Sequence, residues 1–378
     1  MTATQSGKEI NMKFNCMRSE LTKAVLSVSR AVSAKSSQPA LEGVLIKAYD
    51  SVLSLTGYDL EIGITTNIGA SIEEQGEVVV SAKLFSDIIR NLPEEIVSIE
   101  TDERLITTIN SGSSEYQIVG ISSAEYPELP RVDELEKIKI DAAVLKDMIR
   151  ETVFAVSDNM SKPIYTGSLF DIDPGVLRIV AIDGFRMAIR EEQVESELNT
   201  KFVVPSKTQQ EIIRLISDEE QVEMIVGSRH ITFKIDNYTV ISRLIEGTFL
   251  DYKTTVPQKC TTEFKINKRL LSSAVERMLP MTGEKIQSPV RANVTADEIK
   301  LSCTTTVGRA TDSLPVSAIG NEVVIGFNNR YMLDALKNAD TDEVKIEMSG
   351  SLSPIIIKPV EGNNFLYLVV PMRLSAES

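Results

Sequence analysis

The residues able to do chemistry are few and scattered. The one histidine, His230, opens the alternating run HITFKID at 230–236. Two aspartates, Asp59 in TGYDLEI and Asp183 in VAIDGFRMAI, stand at matching places 124 residues apart. An imidazole beside a carboxylate could move protons, and paired carboxylates could divide acid and base roles. No motif supplies the rest of such a site: GxSxG, HExxH, GxGxxG and GxxxxGK[ST] are all missing. His230 therefore reads as a surface or structural residue, and the aspartates as turn formers at strand ends. DIDPG at 171–175 lacks the later ligands of a calcium loop and reads as a hairpin turn. Cys16, Cys260 and Cys303 lie far apart with no CxxC pair. They form neither a disulfide framework nor a zinc site, and they fit a reducing cytosol. Cys16 and Cys260, in or near strands, read as buried thiols. No catalytic residue, metal site or cofactor is expected.

The elements that must position any site come in copies. GEVVVSAKLFSDIIRNLPEEIVSIE at 76–100 matches TKFVVPSKTQQEIIRLISDEEQVEMIV at 200–226, and NEVVIGFNNRYMLDALKNADTDEVKIEM at 321–348 is a third version. Each reads strand, helix, acidic turn, strand. LTKAVLSVSRAVS at 21–33 matches LKDMIRETVFAVS at 145–157, with NKRLLSSAVERMLPMTGE at 267–284 as the weaker third member. A proline follows each helix (Pro39, Pro163, Pro289), and the first two open P-x-x-x-G with Gly43 and Gly167. Self-similarity at one spacing predicts three α+β units of about 120 residues, each with two helices and period-two antiparallel strands. The boundaries expected are 12–134, 135–258 and 259–378, after a disordered extension at 1–11.

The charge follows the helices. The chain carries 40 Lys+Arg against 54 Asp+Glu, a net −14 that argues against a phosphate-binding partner if evenly spread. It is not evenly spread: the six helical segments sum to +6 and everything else to −20. On a helical wheel Leu21, Val25, Val28 and Val32 form one stripe with Lys23 and Arg30 opposite. Leu84, Ile88, Ile89 and Leu92 oppose Lys83 and Arg90; Ile212, Ile213 and Ile216 oppose Lys207 and Arg214. Arg330 and Lys337 flank the stripe of Met332 and Leu336. Basic pairs two turns apart on several helices predict a common positive surface for a polyanion, contacted through phosphates without sequence readout. Aromatics for base stacking are missing from these faces, which favours duplex over single-stranded nucleic acid. No apolar run reaches the 18 residues of a membrane span, and the N-terminal segment has no signal-peptide core.

Taken together, MKFNCMRSEL at 12–21, LTGYDLEI at 55–62, AIDGFRMAI at 181–189, FLDYKTTVP at 249–257, YLVVPMRL at 367–374 and the triplication resemble the bacterial sliding clamps. These are the beta subunits of DNA polymerase III. The resemblance covers 12–374. It implies three domains of similar fold, a head-to-tail ring dimer, helices lining a hole for double-stranded DNA, and antiparallel sheets outside. It implies a cytoplasmic, non-enzymatic processivity factor that tethers the polymerase catalytic subunit, clamp loader and repair proteins through short linear peptides with a Gln-Leu-x-Leu-Phe-like pattern.

Carried over by position, the peptide pocket would comprise Tyr165, Gly184, Phe185, Arg186, Met187, Leu250, Thr255, Pro354, Leu368, Val369, Val370, Pro371, Met372, Arg373 and Leu374. Arg186 and backbone groups would fix the peptide's polarity. Tyr165, Phe185, Leu250 and Pro354 are bulkier or less polar than is common in the family, and SAES extends past its usual last leucine. The subunit contact would pair Tyr116 and Ile118 with Met278, Pro280 and Met281. The DNA contacts would be Lys23, Lys35, Arg90, Lys207, Arg214 and Arg269.

Overall fold

Apolar spacing sets the helices. In the computed structural model, which describes residues 12–132, 136–217, 221–257, 259–282 and 288–374, they are α1 (Arg18–Val28), α2 (Ala82–Arg90), α3 (Ala142–Val153), α4 (Ser206–Leu215), the single turn α5 (Tyr252–Thr255), α6 (Lys268–Thr282) and α7 (Asn329–Asn338). All but α5 fall on the six segments expected. The stripe of α1 buries Leu21, Val25 and Val28, with Lys23 and Arg30 exposed. In α2 the stripe is Phe85, Ile88 and Ile89, continued past the helix end by buried Leu92, and Leu84 is exposed rather than inward. Side chains cap three of the helices among the described residues: Asp141 Oδ1 accepts from the amide of Ala143, Asn267 Oδ1 from those of Arg269 and Leu270, and Asn328 Oδ1 from those of Arg330 and Tyr331. No helix among the described residues is long and apolar enough to cross a membrane. The proposed extension at 1–11 and the SAES tail lie outside the described residues.

All ladder pairs among the described residues are antiparallel, and packing gathers the strands into two compact units. One unit holds the chain up to Ala143 together with Arg214–Leu244. Its five-stranded sheet runs Ser71–Glu74, Met12–Met17, Ile96–Thr101, Ile106–Ser111, Ser114–Val119. Its eight-stranded sheet runs Glu136–Asp141, Gln221–Val226, His230–Ile235, Tyr238–Arg243, Ile62–Gly69, Val52–Tyr58, Gly43–Tyr49, Gly76–Ser81. Here a strand of the central repeat pairs with one of the first, Val240 opposite Ile64.

The other unit holds Val144–Ile213 and the chain from Ile245. Its nine-stranded sheet runs Thr200–Pro205, Gly167–Asp173, Val176–Ile182, Arg186–Gln193, Phe365–Val369, Ile355–Pro359, Glu343–Met348, Thr262–Asn267, Ile319–Gly320. A four-stranded sheet runs Gly308–Pro315, Glu298–Thr305, Val290–Val294, Val323–Phe327. Arg186–Gln193 of the central repeat pairs with Phe365–Val369 of the third, Ala188 opposite Tyr367. In each unit the strand pairing thus crosses from one repeat to the next and covers an edge that would otherwise be open.

The P-x-x-x-G glycines have a steric reason. A Cβ on Gly43 would lie 2.9 Å from the carbonyl oxygen of Val80, and one on Gly167 2.3 Å from that of Val204. Only glycine admits a neighbouring backbone at that range.

Candidate functional site

One apolar cluster occurs twice. In the second unit Leu169, Val180, Ile182, Met187, Val203, Tyr252 and Leu368 are buried together, with Ile164, Tyr165, Ile245, Phe249 and Val370 packed against them partly exposed. In the first unit Ala40, Leu41, Leu45, Tyr58, Val79 and Tyr126 form the counterpart, flanked by Ile121 and Leu129. Six positions correspond at the 124-residue spacing of the repeats: 40 and 164, 41 and 165, 45 and 169, 58 and 182, 79 and 203, 121 and 245. The copies differ at the surface. Ala40 and Leu41 are sealed in, whereas Ile164 and Tyr165 are half-buried. Tyr165 meets Phe249 edge-on at 5.4 Å between ring centres. At the rim Phe185 is 60% exposed and Leu250 42%. Exposed aromatic and aliphatic groups over a buried apolar floor suit a partly apolar peptide.

The turn before Phe185 is built by Asp183, which accepts from the amides of Phe185 (2.8 Å) and Arg186 (3.0 Å). Asp59 does the same for Glu61 (2.9 Å) and Ile62 (2.8 Å). The aspartates in register are turn formers. The residue after each takes the left-handed conformation, Gly184 at φ +94° and Leu60 at φ +75°. Asp183 belongs to the second unit and His230 to the first. His230 is half-buried, and burial with Arg243 and Arg229 holds its pKa below the ordinary histidine value.

Two groups of expected pocket residues are engaged within the protein. Arg186 is held by its own chain. Its Nε donates to Asp183 Oδ2 at 2.9 Å, its Nη1 to Asp334 on α7, and its guanidinium lies 4.6 Å from the Tyr331 ring and 5.6 Å from that of Phe154. The protein's own carboxylates satisfy it. Met187, Leu368 and Val369 are buried in the core, paired as Met187 with Leu368 and Arg186 with Val369. They form floor, not wall. Val370 N donates to Phe185 O at 2.9 Å, which ties the end of the strand Phe365–Val369 to the rim. Beyond it Met372 N donates to Gly326 O at 2.8 Å and Leu374 packs over Gly326, so these two residues seat on the four-stranded sheet. Pro354 and Pro371 are half-buried, and Thr255 and Arg373 are exposed. Phe249, Ile164 and Tyr252 join the cluster unforeseen; the spacing to Ala40 and Glu125 signals the first two positions, but not their exposure.

The remaining candidates divide likewise. Tyr116 and Val119 are exposed on the strand Ser114–Val119, while Ile118 is 6% exposed. Met278 is 1% exposed because it lies on the inward stripe of α6 with Leu271, Ala274 and Val275. Neither Ile118 nor Met278 offers side-chain surface to a partner. Pro280 is exposed and Met281 half-buried. Lys23, Lys35, Arg90, Lys207, Arg214 and Arg269 are all exposed, Arg90 leaning on Asp87 at 3.6 Å.

Cys260 is exposed, not buried, whereas Cys16 and Cys303 are core residues; burial pushes the Cys16 thiol up to about 12. Cys260, Glu263 and Glu347 bring donor atoms within 4.8 Å of one another. Lys345 already contacts Glu263 (2.6 Å) and Glu347 (3.0 Å), and Lys358 contacts Glu347 (2.6 Å). Lysine ammoniums take the place of a cation there. The DIDPG segment closes a hairpin, Asp173 opposite Val176 with Gly175 at φ +80°.

Comparison with known proteins agrees with this architecture. Models of the DNA polymerase III beta subunit match in series: the N-terminal domain over 12–130, the central domain over 139–251 and the C-terminal domain over 253–373. The beta sliding clamp of Halalkalibacterium halodurans is 32% identical, across 96% of this chain and 100% of its own. That of Bacillus subtilis is 31% identical, with the same coverage. Among solved structures, a putative DNA polymerase III beta subunit from Eubacterium rectale superposes with a TM-score of 0.92 at 35% identity, covering 96% of this chain and 99% of that one. The Bacillus subtilis sliding clamp superposes at 0.94 with 30% identity, covering 97% and 100%.

Proposed function

From the premise that this chain belongs to the DNA polymerase III beta subunit family, the beta sliding clamps, we propose that two copies close head to tail into a ring around duplex DNA. The protein is a DNA sliding clamp that serves polymerase processivity and is not an enzyme. The observation that carries the ring reading is the segregation of charge. An acidic chain keeps exposed Lys23, Arg90, Lys207, Arg214 and Arg269 on helices, with Lys35 in the loop after α1. Weak, screened phosphate contacts on an inner surface let a ring slide, and an acidic exterior repels DNA elsewhere. The test is loading onto nicked circular DNA with a clamp loader and ATP, followed by linearisation. Loss on linearisation is expected; equal retention on both forms would overturn the topological mechanism.

The subunit contact in this reading joins two sheet edges. Ser114–Val119 ends the five-stranded sheet with Tyr116 and Val119 exposed, and Gly308–Pro315 ends the four-stranded one beside Pro280 and Met281 of α6. Edge-to-edge addition satisfies backbone groups on both strands. A solution mass of one chain, unchanged by Tyr116→Asp, would contradict it.

The apolar cluster under Phe185 and Leu250 is the docking groove for short peptides of the polymerase catalytic subunit, clamp loader and repair proteins. A fluorescein-labelled Gln-Leu-Ala-Leu-Phe peptide should bind, and Phe185→Ala or Leu250→Ala should weaken it. Equal affinity in both variants would refute the groove. The repeats 12–134, 135–258 and 259–378 are the clamp's three domains, working in the cytoplasm, where the free thiols fit a reducing medium.

A further inference from the structure

The segment that closes the central repeat is held by one buried carboxylate. Asp171, on the strand Gly167–Asp173, has a side chain with no solvent exposure. Its Oδ2 accepts the Tyr252 hydroxyl at 2.7 Å and lies 3.2 Å from Lys201 Nζ and 3.7 Å from Lys253 Nζ. Its Oδ1 has no hydrogen-bond partner. Lys253 also reaches Asp173 at 3.5 Å, and Asp173 takes Arg178 at 2.6 Å. Tyr252 is buried in the same cluster as Met187, Leu368 and Tyr165. It opens α5, and its chain neighbours Phe249 and Leu250 form the groove wall.

The repeat shows what this latch is for. The apolar cluster recurs at six positions in the first repeat, but the latch does not. At the 124-residue spacing Asp171 corresponds to Lys47, which is exposed and pairs with Glu77 at 3.0 Å. The buried tyrosine of the first cluster, Tyr126, donates its hydroxyl to the backbone carbonyl of Thr56 at 3.2 Å and meets no carboxylate. The fold is therefore made once without a buried carboxylate–phenol pair. The pair is present only where the cluster is left open at the surface. Burying a carboxylate is costly, and the cost is tolerated where it fixes a particular geometry.

We infer that Asp171 and Tyr252 are positioning residues for the peptide groove, pinning 249–255 so that Phe249 and Leu250 stand as a preformed wall. This rests on the groove reading above. A preformed wall saves the ordering of a loop on binding, so its loss is read as lost affinity. The full-length protein is compared with Tyr252→Phe, which keeps the ring and removes the donor, and with Asp171→Asn, which keeps an acceptor. Tyr252→Phe should raise the Kd for the labelled Gln-Leu-Ala-Leu-Phe peptide about tenfold, the worth of one hydrogen bond to a charged group. Asp171→Asn should stay within about threefold, because an amide oxygen still accepts the hydroxyl.

Amide hydrogen exchange separates the two readings. In Tyr252→Phe, exchange over 249–255 should speed up, with that of Arg186–Gln193 unchanged. Unchanged exchange over 249–255 would overturn the latch whatever the peptide does. Faster exchange with unchanged Kd would overturn its role in binding. If the unaltered protein binds no peptide, the groove reading fails, while the exchange experiment still decides whether the latch holds the segment.

Discussion

Arg186 of the central repeat pairs with Asp334 of the third, joining the strand Arg186–Gln193 to α7 through a guanidinium that also holds Asp183 at 2.9 Å and stacks on Tyr331. The side chains of Arg186 and Asp183 are mostly shielded. Removing one partner of such a cluster leaves carboxylates uncompensated, at about 2–4 kcal/mol. Arg186→Ala should lower the urea midpoint accordingly. Arg186→Lys should restore little, because an ammonium cannot serve two carboxylates and two rings in one plane. An unshifted midpoint in Arg186→Ala would return Arg186 to the list of peptide contacts.

A second buried charge sets a pH response. Glu151 on α3 is 1% exposed and lies 3.2 Å from Arg190, which also donates to Glu192 at 2.6 Å. Burial raises its pKa from 4.5 to about 7, opposed by Arg190 and reinforced by Asp340 and Asp147. Burial outweighs the ion pair, because Arg190 is shared with Glu192 and neither Glu151 oxygen completes a hydrogen bond. With the folded pKa above the unfolded one, the fold binds a proton that the unfolded chain releases. That stabilisation is complete below pH 4.5 and is lost as pH rises through about 7. Glu151→Gln should flatten stability across this window and make the protein more stable than the parent at pH 8. Parallel stability curves for the two would contradict it.

Period-two strands and a fixed repeat spacing make the architecture legible in the sequence. Asp59 and Asp183 in register locate two identical turns, and Gly43 and Gly167 two identical strand crossings. What a helical wheel cannot supply is the direction of the core. Leu84 and Phe85 are both apolar, and tertiary packing turns Phe85 inward. Met278 looks like an interface residue by position, yet it completes the α6 stripe. The surroundings of Arg186 are hidden for a related reason. Its partners Asp334, Tyr331 and Phe154 lie far away in sequence, so nothing local announces that its donors are taken. Cys260 stands just before the strand Thr262–Asn267 and is exposed there.

The basic helices predict a salt law. If Lys23, Lys207 and Arg214 neutralise phosphates, each Ala substitution should flatten the log–log salt dependence of binding to a linear duplex by about 0.9. Lys83→Ala, on the exposed face of α2 but not among the expected contacts, provides the comparison. Slopes unaltered in Lys23→Ala and Lys207→Ala would remove these helices from the DNA surface.

Gly326 decides whether Met372 and Leu374 can seat. It lies on the edge strand Val323–Phe327, and its carbonyl accepts the Met372 amide at 2.8 Å. A Cβ there would come 2.6 Å from Met372 O and 2.7 Å from Leu374 Cδ2. The leucine could rotate away, but the carbonyl belongs to the backbone held by that hydrogen bond. Gly326→Ala should therefore destabilise by about 1–3 kcal/mol, the range for overpacking. Adding Leu374→Ala should recover only part of it, because the clash with Met372 O persists. Full recovery in the double variant would mean that the side chain, not the backbone, sets the limit, and that Met372 is free to shift along the edge.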